Sequence, residues 1–116
     1  MIPVLQKRDG DCLVACLASI FECRVLDLPY IRSGSSLRQQ IQKWNTFLAR
    51  YNIKLVSSVQ ERYWRSHRFL IGITRSPRDR RASHAVIVHG GKIVHDPSPI
   101  QDGYRRKIQF LVLVEP

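Results

Sequence analysis

A chain of 116 residues is long enough to bury one modest hydrophobic core and too short for two, so a single domain over 1–116 is expected. With 44% apolar and 24% charged residues it has the composition of a soluble globular protein, and its longest apolar runs, 13–20 and 110–114, are far too short to span a bilayer. Nineteen Lys and Arg against nine acids leave a net charge of +10, which suits acidic proteins, nucleic acid or anionic lipid without choosing among them.

The first residues, "MIPVLQKRDGD", lack the basic, apolar, small-residue order of a secretory signal, so an intracellular location is expected. Asp9 or Asp11 can cap a helix over 12–21, with Leu13, Leu17 and Ile20 on its buried stripe. Pro29 and Gly34 limit "VLDLPYIRSGSS" to a short helical turn. Ser35 or Ser36 then caps a second helix, along which Leu37, Ile41, Trp44, Leu48 and Tyr51 recur at helical spacing, and Asn52 stops it. Beyond this point the hydrophobic period changes. "IKLVSSV", "RFLIGITR", "HAVIVH", "KIVHDP" and "IQFLVLVEP" read as strands, while "QERYWRSH" fits a loop or a short helix equally well. Helices followed by antiparallel strands predict an α+β domain.

Charge is unevenly spread. Arg62, Arg65, Arg68, Arg75, Arg78, Arg80 and Arg81 crowd one third of the chain, partly in the loop "SPRDRRAS", and Arg105, Arg106 and Lys107 form a second knot. Three cysteines, an odd number, argue against a disulfide framework, and gaps of four and seven between Cys12, Cys16 and Cys23 fit no zinc site. No metal or other cofactor is expected. Cys16 and Cys23 read as small apolar residues on the inner face of a helix.

Cys12 differs from them by position. It opens the first helix, where unpaired backbone N–H groups and the helix dipole favour a thiolate. A thiolate nucleophile needs an imidazole beside it, and the imidazole needs an orienting partner. Of the four histidines, His84 has such a partner within one hairpin, "SHAVIVHGGKIVHDP". A three-residue loop, His89-Gly90-Gly91 with Gly91 left-handed, sets His84 directly opposite Asp96, on one face of the sheet with Cβ atoms roughly 5 Å apart. A two-residue Gly-Gly turn sets His84 opposite Pro97 and turns Asp96 to the other face. A site built on His84 and Asp96 therefore calls for the three-residue loop. His67, His89 and His95 read as surface or structural histidines. Gln6, six residues before Cys12, can offer its amide to the pocket that the Cys12 N–H also faces, as an oxyanion donor.

Gln, five residues, then Cys at the start of a helix, followed by His on one strand and Asp on the next, resembles the order in papain-like cysteine peptidases. "DCLVACLASIF" and "HAVIVHGGKIVHDP" look most like the bacteriocin-leader-processing branch and its small stand-alone relatives. The resemblance implies N-terminal helices packed on a C-terminal antiparallel sheet, with no cofactor. It implies Cys12 as nucleophile, His84 as general base and then acid, Asp96 as the group orienting His84, and Gln6 in the oxyanion hole. It also implies hydrolysis of a peptide or isopeptide bond through a thioester. Leu13 stands where that family commonly has a small residue, and is expected to crowd the substrate's approach.

Two other outcomes fit the same residues. A deamidase or acyltransferase acting on a protein would use the same thioester chemistry with a different scissile group or acceptor. A non-catalytic basic module binding nucleic acid or an acidic protein would use the charge alone. Trp44 and Tyr51 lie on a helix's apolar stripe, so no base-stacking platform is evident, and no recognition helix or zinc finger is visible. If the arginines border the cleft, acidic side chains near the scissile bond are favoured.

Overall fold

A computed structural model describes residues 1–5, 12–29, 36–75, 83–98 and 108–116. The architecture is α+β. Helix α1 (Cys12–Phe21) and helix α2 (Leu37–Leu48) precede β1 (Lys54–Ser58), a short helix α3 (Glu61–Trp64), β2 (Leu70–Arg75), β3 (Ser83–His89), β4 (Lys92–His95) and β5 (Phe110–Glu115). The ambiguous "QERYWRSH" contains α3, and the described part of "VLDLPYIRSGSS", residues 25–29 and 36, includes the 3-10 turn Val25–Asp27.

Helix boundaries follow local chemistry. The Ser36 hydroxyl accepts from the Gln39 N–H and the Gln39 side chain accepts from the Ser36 N–H, a reciprocal cap for α2. Asn52, at φ 58°, ends the 3-10 extension Ala49–Tyr51, and the Ile53 N–H turns back to the Leu48 carbonyl at 3.2 Å. Glu22, at φ 56°, ends α1 in the same way, with the Cys23 N–H on the Ala18 carbonyl. Asp9, Asp11 and Ser35, the other candidate caps, lie outside the described residues. Cys23 corrects its expected place: it sits past the end of α1 rather than on its inner face, partly exposed.

Five antiparallel strands form one sheet in the order β1-β5-β2-β3-β4. Along β2, β3 and β5 the apolar runs barely alternate, because both faces of the central sheet are covered. On one face Ile71, Ile73, Ala85, Ile87 and Val112 meet Leu13, Cys16 and Leu17 of α1 and Trp44 and Leu48 of α2. On the other, Leu70, Val86, Val88, Leu111 and Leu113 are covered by Tyr63, Trp64 and Ile108. Gly72 permits this second layer, since a Cβ there would stand 2.9 Å from Ile108 Cδ1 and 3.0 Å from Val88 Cγ1. Trp44 is 1% exposed, whereas Tyr51, grouped with it on the helical stripe, is 59% exposed. The helix has tightened into its 3-10 turn by that point, which rotates Tyr51 off the buried face. Leu13 points into the core at 2% exposure, so it does not stand in a substrate's path.

Antiparallel pairing places the ends of β1, β2 and β4 and the starts of β3 and β5 at one end of the sheet. Among the described residues no helix is long and apolar enough to cross a membrane.

Candidate active site

At that end of the sheet, His84 is the second residue of β3, paired across the sheet with Thr74 of β2 and 7% exposed. Its Nε2–H donates to Asp96 Oδ1 at 2.8 Å, since an ionised carboxylate can only accept. This leaves Nδ1 for the Cys12 thiol, which lies within hydrogen-bonding reach of the ring at the start of α1. Asp96 is held in turn: its Oδ1 also accepts the Ser98 N–H at 3.0 Å, and both Pro97 and Ser98 are buried. Cys12, His84 and Asp96 therefore converge.

The hairpin reaches this arrangement by a route other than the expected one. Its turn is the two-residue Gly90-Gly91, with φ of 59° and 79°, and His89 pairs with Lys92. Positive φ at both central residues is what a type I′ turn demands, and the paired glycines supply it without strain. The expected three-residue loop is thus corrected. With uninterrupted pairing this turn would have sent Asp96 to the wrong face. A β-bulge prevents that: Val88 pairs with Ile93 but Ile87 pairs with His95, leaving Val94 as an extra residue. Continuing the register past the bulge sets Asp96 opposite Val86, so Asp96 shares the face of His84 as its diagonal neighbour. Diagonal Cβ atoms lie roughly 7–8 Å apart, a span that an imidazole and a carboxylate close between them.

Burial alone pushes the His84 imidazole down, but hydrogen bonds to Asp96 and Cys12, together with their negative charge, outweigh it and raise the ring to about 9. Burial pushes the Cys16 thiol well up, with Cys12 and Asp96 adding in the same direction, so one helical turn separates a partly exposed cysteine beside an imidazole from a sealed, protonated one. The Cys23 thiol is also pushed up, by burial and by Asp27.

Among the other histidines, His67 is exposed. His89 stacks on Phe69 with ring centroids 4.4 Å apart, and its Nδ1 is buried without a partner. His95 donates from Nε2 to the Val4 carbonyl at 2.8 Å, a bond across 91 residues that no local pattern signals. Gln6, the loop 76–82 and the basic knot 105–107 lie outside the described residues. No cluster of three or more His, Cys, Asp or Glu able to hold a metal occurs among the described residues. A separate open groove of about 680 Å³ lies beside α3 and the start of β5, lined by Val59, Arg62, Trp64, Arg65, Ile108 and Phe110 among others. Compared with known proteins, the chain matches no family model, no curated relative and no solved structure.

Proposed function

We propose that this protein is a thiol hydrolase of papain-like design, cleaving a peptide or isopeptide bond through a thioester on Cys12. The observation that carries the reading is the convergence of Cys12, His84 and Asp96 from a helix start, a strand start and the end of the next strand. A nucleophile helix packed on an antiparallel sheet that bears the base and then the acid is the arrangement the family resemblance implies.

With its ring raised to about 9, His84 carries a proton at neutral pH, and the nucleophile assigned in this reading is the Cys12 sulfur beside it as thiolate. The thiolate attacks the carbonyl carbon, and the proton on His84 passes to the departing nitrogen as the C–N bond breaks. Water then attacks the thioester while neutral His84 takes its proton, releasing acid and thiolate. Asp96 keeps Nε2 protonated and the ring in place throughout. Gln6 is assigned to the oxyanion by its place in the sequence. A carboxamide in place of the peptide bond makes the same steps a deamidation, and an amine in place of water makes them a transfer.

Arg62 and Arg65, which line the groove beside α3, support an acidic polypeptide as the substrate class. Iodoacetamide labelling at pH 7 tests the reading directly. Cys12 is expected to alkylate at least tenfold faster than Cys23, and His84→Ala to remove the difference. Equal rates at Cys12 and Cys23 in the folded protein would sink the proposal.

A further inference from the structure

Val4 is gripped at both ends of its own backbone. Its N–H donates to Ser19 Oγ at 2.9 Å, and its carbonyl accepts from His95 Nε2 at 2.8 Å. Ser19 is fully buried on α1, and its hydroxyl donates to the Ala15 carbonyl at 2.8 Å, which fixes its rotamer. The Ile2 N–H adds a bond to the Ser19 carbonyl at 3.0 Å. One residue thus bridges the helix that Cys12 begins and the residue immediately before Asp96.

That bridge falls where the sheet holds its own strand least. Strand β4 is four residues long, lies at the edge of the described sheet, pairs with β3 alone among the described residues and is interrupted by the Val94 bulge. Beyond the bulge one ladder pair, Ile87 with His95, precedes Asp96. Sheet pairing also acts within the plane of the strands and does not set their distance from α1. The His95–Val4–Ser19 chain spans that gap.

We propose that His95 is a positioning residue, which through Val4 and Ser19 fixes the end of β4 against α1 and so sets the spacing of Asp96, His84 and Cys12. This rests on the acyl-transfer reading for its purpose, though not for its geometry. Displacements near 1 Å in a reacting constellation cost on the order of a hundredfold in rate, even when they originate outside it.

The test uses the full chain with His95→Ala, His95→Gln and Ser19→Ala. In the wild type, NMR titration of the His84 ring is expected near 9. In His95→Ala and Ser19→Ala it moves down toward the ordinary histidine value, and Cys12 alkylation by iodoacetamide at pH 7 falls about tenfold or more. His95→Gln, whose amide can still donate to the Val4 carbonyl, restores both. Ser19→Ala serves as the independent arm where His95→Ala does not fold. If His95→Ala lowers only the thermal midpoint, leaving His84 titration and Cys12 alkylation as in the wild type, the bond is merely structural and the proposal is overturned. A loss that His95→Gln does not restore overturns it as well. Should wild-type Cys12 alkylate no faster than Cys23 while the His84 titration still moves as described, the hydrolase reading fails and the positioning of Asp96 against α1 stands.

Discussion

At His84, burial and hydrogen bonding act in opposite directions on one ring, and the partners win. A histidine raised from 6.5 to about 9 binds its proton more tightly in the folded chain than in the unfolded one. Its contribution to stability is therefore complete below about pH 6.5 and lost as pH rises through about 9, and it is worth on the order of 3 kcal/mol. Urea unfolding should show the gap between wild type and His84→Gln narrowing from pH 6 to pH 10; an unchanged gap would contradict the assignment. The same proton governs rate. Acyl transfer to a leaving nitrogen should fall above pH 9 as the imidazolium disappears, whereas alkylation by iodoacetamide, whose iodide needs no proton, should not fall with it.

Among the elements, the β3–β4 hairpin decides whether there is a site at all. The Gly90-Gly91 turn sets one parity, and the bulge at Val94 reverses it before Asp96 is reached. Deleting Val94 should leave the central strands β5, β2 and β3 paired, because their cores on both faces do not include it. It should also keep His95 opposite Ile87 and Asp96 opposite Val86, because it removes only the unpaired residue, so Asp96 stays on the face of His84. The expected result is a folded protein whose His84 still titrates near 9 and whose Cys12 still alkylates faster than Cys23. A His84 titration near the ordinary value would show that strand parity is not what brings Asp96 round. Position at an edge strand makes such a bulge tolerable, since only one neighbour's ladder is disturbed.

Across the whole molecule the net charge of +10 acts as a field rather than a contact. Arg62 and Arg65 line the groove beside α3. If that groove guides substrate, matched acidic peptides should be turned over faster than basic ones at low salt, with the difference shrinking as ionic strength rises toward 0.5 M. Equal turnover at low salt would remove the groove from the account of specificity. Salt-sensitive binding of nucleic acid that survives Cys12→Ala, with no hydrolysis of any peptide, would instead favour a basic binding module.

What the sequence determined by itself was local: apolar spacing set α1 and α2, Ser36 and Asn52 set where α2 and its extension begin and end, and dense apolar runs set the strands. Cys12 was legible because a helix start is a local feature with a local electrostatic consequence. The pairing of His84 with Asp96 was legible only as a choice between two turns, since a glycine pair permits either and a bulge leaves no mark in composition. Tertiary structure made that choice through the Val94 bulge, and it alone supplied the bond from His95 to Val4. A hydrogen bond between residues 91 positions apart is decided by which surfaces pack. No spacing along the chain encodes it.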